Sequence, residues 1–273
     1  MAMAVTVVLA LRLPMRRVFG PRAAYGLWGV VPLTLVAVCL PRIVVGPVVE
    51  TSTLSPIPAP LIVGVWVAGV VAFVGLMAGL QGRFAVLARR GLAGPAVTGV
   101  IVPRLVMPAD SAVRWSPEER ALILAHEHAH LARGDLRVNA AVALLQCLFW
   151  CNPWAQVAAG RFRFDQELAC DARVLAVRPG RRRLYAEALL KAERTPATPL
   201  GCGWGDATAR GLETRIASFS LNRHSPTPIA VAVVVGLALG VAAAAWALQP
   251  ATFEAGPDSR PKILNLRLAP SQT

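Results

Sequence analysis

Three of the four histidines in this 273-residue chain fall within residues 124–135, LAHEHAHLARGD. On a helix, residues four apart differ by about 40° around the axis and share a face, while residues two apart point nearly oppositely. His126 and His130 are such a pair; His128 is turned away, toward packing or solvent. Glu127 follows the first of the pair. His126-Glu127-x-x-His130 is the pattern in which two imidazoles bind zinc and the glutamate polarises an attacking water. Alone it is moderately specific, because an amphipathic helix with surface histidines gives the same letters. A catalytic zinc also needs a third protein ligand and an open position for water. That third ligand must be a carboxylate or the distant His224.

Residues 164–175, FDQELACDARVL, supply a second constellation. Glu167 and Asp171 are four apart, so on a helix both face one point. Glu167 would complete a His2Glu set for one Zn2+ per chain, the arrangement of catalytic zinc peptidases. Asp171 would orient a histidine by accepting its distal N–H. Asp135, just past the first motif, is placed to orient a ligand or cap a neighbouring helix. A further donor to a developing oxyanion is expected, with Tyr185 and His224 as candidates. The run Gly201-Cys202-Gly203-Trp204-Gly205 lacks the Lys-Ser/Thr of a phosphate loop and reads as a flexible connection.

These side chains need elements to hold them. Ser116-Pro117-Glu118-Glu119 predicts a helix start, with serine as N-cap, proline at the first position and Glu119 closing a capping box. The helix should run to about residue 132, where Gly134 ends it. Between the two motifs lies an apolar stretch, residues 136–159. As a single helix it would be about 36 Å long and could cross a bilayer. His130 and Glu167 would then lie on opposite sides and could not share one metal. If the site is real, this stretch is not a plain transmembrane helix. It is expected to pack inside the zinc domain or against the membrane face.

The chain is 55% hydrophobic and 16% charged, which is too apolar for an ordinary soluble domain. Apolar segments at about 2–15, 25–49, 60–80 and 228–250 are expected as membrane helices, the first too short for a full crossing. The net charge of +13 is almost all arginine. It clusters at Arg16, Arg17 and Arg22 and again at Arg83, Arg89 and Arg90, as the positive-inside rule requires of cytoplasmic loops. No recognition motif accompanies it, so direct nucleic-acid binding is not expected. The five cysteines form no CxxC pair, and a disulfide framework is not expected.

With these motifs in view, the chain resembles the M56 family of membrane metallopeptidases, the family of the BlaR1 and MecR1 antibiotic-response sensors. The resemblance rests on an ordered series: GPAVTGVIVPRLVMP (94–108), ILAHEHAHLARGD (123–135), CNPW (151–154), QELACD (166–171), YAEALL (185–190) and LETRI (212–216). It implies zinc ligands at His126, His130 and Glu167 and a catalytic base at Glu127. It also implies a substrate class: a cytoplasmic transcriptional repressor, the enzyme itself, or both, with a homodimer as a possible partner. The sensors carry a penicillin-binding domain after their last membrane helix. Here about 25 residues follow Leu248, so that sensor role is not expected. The stretch VIVPRLVMP is expected to provide an edge strand against which a substrate backbone pairs.

The expected fold is mainly α, a multi-pass α-helical membrane protein of a bacterial cell membrane. Residues 1–80 form its N-terminal helices, and residues 81–227 a cytoplasmic gluzincin-like α+β zinc domain. A last span covers residues 228–250, and an extracytoplasmic tail residues 251–273, expected to be disordered. Two other readings compete: a housekeeping protease of the HtpX and Ste24 kind, and a non-catalytic membrane signalling scaffold. CNPW and the N-terminal layout disfavour the first. Intact Glu127 disfavours the second.

Overall fold

The structure, a computed structural model, describes residues 2–41, 43–45, 59–192, 200–203, 209–220, 227–249 and 252–254. It is mainly helical. In chain order it has α1 (Ala2–Phe19), α2 (Pro21–Gly26), α3 (Val30–Cys39), β1 (Ile43–Val45), α4 (Ala59–Arg89), β2 (Ala96–Thr98) and β3 (Arg104–Val106). There follow α5 (Ser111–Arg114), α6 (Pro117–Arg133), α7 (Asp135–Leu148), α8 (Pro153–Val177), α9 (Arg182–Lys191), β4 (Cys202–Gly203), α10 (Ala209–Ser218), α11 (Pro228–Ala247) and β5 (Thr252–Glu254).

Among the described residues, three helical stretches are long and apolar enough to cross a membrane: Pro21–Cys39, Pro60–Arg89 and Pro228–Ala247. The segment expected at 25–49 thus begins earlier and gives way after Cys39 to β1. The short first segment forms α1, which continues through Pro14 to Phe19 and is not among the three. It lies instead against α2 and α8. There Arg12 is buried and donates to both carboxylate oxygens of Asp165 at 2.8 Å, while the Trp28 indole donates to the same carboxylate at 2.9 Å. A charge pair this deeply buried is costly unless well paired, and the third hydrogen bond completes the pairing. The tail expected to be disordered opens with β5, which pairs in parallel with β1; the rest of it lies outside the described residues.

The start of α6 forms as its sequence requires. Ser116 accepts from the Glu119 amide, the Glu119 side chain accepts from the Ser116 amide, and Pro117 occupies the first turn. Gly134 ends the helix in the left-handed region at φ 71°, which is cheap only for glycine. The apolar stretch 136–159 does not form one helix. It breaks after Leu148, turns, and restarts at Pro153 with Asn152 as N-cap, giving an α7–α8 hairpin. Both ends of the stretch therefore return to the same side of the molecule, and α8 carries Glu167 back to α6.

A small antiparallel sheet has the order β3-β2-β4, with Val97 opposite both Leu105 and Cys202. Its tight β2–β3 turn needs Gly99, whose φ is 95°; a β-carbon there would meet the Val102 carbonyl at 2.3 Å. β3 is an edge strand, as expected of VIVPRLVMP. The Gly201 run, read as a flexible connection, instead supplies β4 through Cys202 and Gly203. The amides there find ladder partners on β2, so the backbone pairs despite its glycines. One apolar core, with Trp115, Ile123, Leu175, Tyr185 and Phe219, binds α6, α8, α9 and α10 together. A second, with Val5, Leu27, Trp28, Phe162 and Ala238, joins the N-terminal helices to α8 and α11.

Candidate metal centre

His126, Glu127 and His130 lie on the buried face of α6, and His128 is exposed on the other side. The antiparallel arrangement of α6 and α8 brings Glu167 to the histidine pair. The Nε2 atoms of His126 and His130 are 3.0 Å apart. Glu167 Oε2 is 3.2 Å from His126 Nε2, and Oε1 is 3.3 Å from His130 Nε2. A tetrahedral ion with bonds of about 2.0–2.1 Å separates its ligand atoms by about 3.3 Å, close to this triangle.

The far sides of the rings identify the protons. His130 Nδ1 lies 2.6 Å from Asp135 Oδ2, and a carboxylate only accepts, so this nitrogen donates. His126 Nδ1 lies 2.7 Å from the Tyr185 hydroxyl oxygen, and that hydroxyl donates to Asp171 Oδ1 at 2.8 Å. In the neutral rings both Nε2 atoms therefore present lone pairs to each other and to a carboxylate. Such a triangle repels itself unless a cation sits within it. Burial opposes a proton on His126, yet the Asp171 and Glu167 carboxylates push its pKa up to about 9. Burial likewise opposes ionisation of Glu167, but the His130 charge and then the Arg215 charge hold its carboxyl well below the ordinary range. The pocket thus demands positive charge, and the donor set fits Zn2+.

Glu127 is wholly buried, and neither carboxylate oxygen has a hydrogen-bond partner among the described residues. Burial raises its pKa to about 7, against the pull of the His126 and His130 charges. An unpartnered carboxylate next to two metal-type ligands, titrating near neutrality, is suited to take up and release a proton.

Asp171 and Asp135, both expected to orient ligands, each sit behind one histidine. Asp171 Oδ1 lies 3.2 Å from His126 Nδ1, and the Tyr185 hydroxyl bridges the same two atoms. The Tyr185 hydroxyl is fully buried on the Nδ1 side of His126, so it positions the ring and is not placed to donate to an oxyanion. His224 lies outside the described residues. Other contacts were not read from the sequence. Arg215 of α10 is buried and grips Asp171 with two 2.8 Å bonds, with a further 3.3 Å contact to Glu167. Its only signal was its place in LETRI. Arg133 clamps Asp135 and lies over the Tyr25 ring at 4.8 Å, while the Tyr25 hydroxyl is 3.3 Å from Asp135. Tyr25 thereby links the N-terminal helices to the metal centre.

Sulfur is also near. His126, His130 and Cys170 form one group close enough to hold a metal, and His130, Asp135 and Cys202 another. Cys170 Sγ lies 3.4 Å from His130 Nδ1, the nitrogen already engaged by Asp135, so it packs behind the ring. Burial pushes the Cys202 thiol up to about 11, which keeps it protonated at neutral pH and a poor ligand. The Nε2 face with Glu167 is the better metal site. The partner of His130 can be weighed directly: Asp135→Asn should weaken zinc affinity about 10–100-fold, as loss of such an orienting carboxylate generally does. Titration against a competing chelator measures it, and unchanged affinity would deny Asp135 this role.

The BlaR1 peptidase M56 family matches residues 78–219, from the last turns of α4 through α10. The regulatory protein BlaR1 of Bacillus licheniformis is 32% identical over 98 residues. That alignment covers 36% of this chain and 16% of the relative, so the chain corresponds to a small part of that protein's length. No solved structure matches. The matched segment contains both histidines, Glu127, Glu167, the two orienting aspartates and Arg215, and it covers more than half of the 273 residues. On that extent of match, the chain belongs to the BlaR1 peptidase M56 family of membrane metallopeptidases.

Proposed function

We propose that this protein is a zinc endopeptidase of the membrane, with its catalytic domain on the cytoplasmic side. Its substrate would be a cytoplasmic transcriptional repressor, the protein itself, or both. One observation carries the chemistry: the compact triangle of His126, His130 and Glu167 beside a buried Glu127 with no partner. The orientation is argued from arginines at 16, 17 and 22 and at 83, 89 and 90, which flank the apolar spans and would stay inside.

His126, His130 and Glu167 would hold the metal. A zinc ion there supplies Lewis acidity, polarising a carbonyl and lowering the pKa of water. The residues of the chain do the rest. Glu127 takes a proton from the attacking water and delivers it to the leaving amine, a transfer for which a pKa near 7 is apt. Asp135, and Asp171 together with Tyr185, keep both rings in one tautomer and orientation. β3 is an outer strand of its sheet among the described residues, and an extended substrate segment would add along that edge.

The test is made on the full chain in membranes. The parent should carry one zinc per chain and generate new protein termini in the host. A His130→Ala form should lose both the zinc and the new termini. A parent without zinc would sink the metal assignment. Zinc with no cleavage anywhere would favour a signalling scaffold.

A further inference from the structure

We infer that the α7–α8 hairpin is a re-entrant membrane element whose tip reaches the middle of the bilayer and whose base carries the metal centre at the cytoplasmic surface. The inference rests on α4 crossing the membrane, part of the reading above.

The tip is fixed against α4. The Trp66 indole donates to the Leu148 carbonyl at 3.1 Å, and the Trp150 indole donates to the Trp66 carbonyl at 3.2 Å. The Trp150 ring lies over Gly69, so closely that a β-carbon there would overlap it. The apolar run of α4 is residues 60–80, and Gly69 lies near its centre, about 15 Å from either end. A hydrocarbon core is about 30 Å thick, so this contact falls near its midplane.

The base is fixed independently. Gln81, one residue past the apolar run, donates to Thr98 of β2 at 3.1 Å and accepts from the Leu200 amide at 3.2 Å. The sheet is thus moored level with the cytoplasmic end of the span. Gln81 is about 18 Å along α4 from Gly69. Asp135 and Glu167 stand about 20 Å along their own helices from the tip, at a similar level.

The hairpin surface changes character at the matching depth. From residue 138 to 160 no exposed side chain is charged, and the largest are Val138, Leu144, Trp154 and Val157. Immediately outside, Arg137 and Arg161 are both exposed. They sit about 17 and about 12 Å from the helix ends at the tip, near the half-thickness of a hydrocarbon core. The polar side chains inside these limits are partnered except for the Asn139 amide oxygen, which is buried and so covered from hydrocarbon. Asn139 donates to the Gly201 carbonyl, Gln146 to Gln156, and Asn152 caps α8. This satisfies the rule that irregular backbone and amide groups enter hydrocarbon only when paired or covered.

Beside the hairpin lies an apolar cavity of about 340 Å³, walled by Trp28, Pro32, Val142, Leu145 and Phe162 among others. In water this would be a large wetted apolar cleft; in a bilayer an acyl chain fills it. The occupant of the whole face is therefore lipid hydrocarbon. As a consequence, a substrate must bring its scissile bond to the membrane surface.

The test uses the full chain in vesicles of phosphatidylcholine and phosphatidylglycerol. Cys39 and Cys151 are the exposed cysteines, so Cys39→Ser leaves Cys151, at the tip, as the reactive thiol. A fluorophore on Cys151 should be quenched about threefold more by a mid-chain nitroxide lipid than by a headgroup nitroxide, with little quenching by iodide. In chains also carrying Cys151→Ala, Arg137→Cys and Arg161→Cys should both react with an impermeant maleimide from the same side. Intrinsic quenching by brominated lipid, compared with Trp154→Phe, repeats the depth measurement without a label. Iodide access at Cys151, or reaction of positions 137 and 161 from opposite sides, overturns the inference. A probe at Val71→Cys in α4 separates the two levels. If it too is open to iodide, the spanning reading fails. If it is protected while Cys151 is not, only the re-entrant hairpin fails.

Discussion

Glu127→Gln should leave the protein folded and its zinc content unchanged while lowering peptide-bond turnover by about 10²- to 10⁴-fold, the usual worth of a positioned general base. Both Glu127 oxygens lack protein partners, so no structural hydrogen bond is lost. Glutamine occupies the same volume and cannot accept and pass on a proton. The metal triangle involves none of its atoms, which is why metal and turnover should separate. Metal analysis and turnover on a cleaved peptide, measured on the same membranes, decide it. Turnover within a few-fold of the parent at equal zinc would remove Glu127 from the chemistry. Loss of zinc together with turnover would give it a structural role instead.

Arg215→Met should be the most destabilising of these changes, at about 3–5 kcal/mol, because it strands a buried carboxylate beside another. Asp171 is wholly buried and receives two charge-assisted hydrogen bonds from this guanidinium. Burial alone would raise the Asp171 pKa, but the Arg215 charge and its hydrogen bonds bring it down to about 2. A native pKa below the ordinary aspartate value of about 3.9 means that this group adds stability at neutral pH. That stability fades as pH falls from about 4 to about 2. In Arg215→Met the contribution is absent, so thermal unfolding should come earlier at pH 7 with a weaker loss of stability on acidification. Adding Asp171→Asn should recover part of the loss, since the uncompensated charge goes. Equal melting temperatures for parent and Arg215→Met would show that the pair carries no net stabilisation.

Much of this centre was readable from residue spacing. A period of 3.6 places His126 beside His130 and Glu167 beside Asp171 whatever the rest of the chain does, because i and i+4 share a helix face. The limits of α6 followed from local chemistry, a serine cap with a reciprocal glutamate and a glycine able to turn left-handed. The break in residues 136–159 followed from a consistency argument: one ion cannot be held from two sides of a bilayer. Other contacts left no such trace. The Arg12–Asp165 pair spans 153 positions, and the grip of Arg215 on Asp171 spans 44. Tyr185, one of two candidate oxyanion donors, sits instead behind His126, since nothing in YAEALL tells which nitrogen of that ring its hydroxyl meets.

What the sequence determined by itself is therefore what local periodicity and composition can carry. That comprises the ligand pairs, the helix that bears them, the apolar spans, and the family series from 94 to 216. The tertiary structure decided what depends on packing between distant segments. It joined Glu167 to the histidines, stationed Asp135 and the Tyr185–Asp171 pair behind their rings, and set Arg215 beneath both carboxylates. It also folded an apolar stretch back on itself against the midpoint of α4. Hydrophobicity alone makes a buried helix and a membrane helix look alike. Only the partners at each depth, Gly69 at the tip and Gln81 at the base, tell them apart.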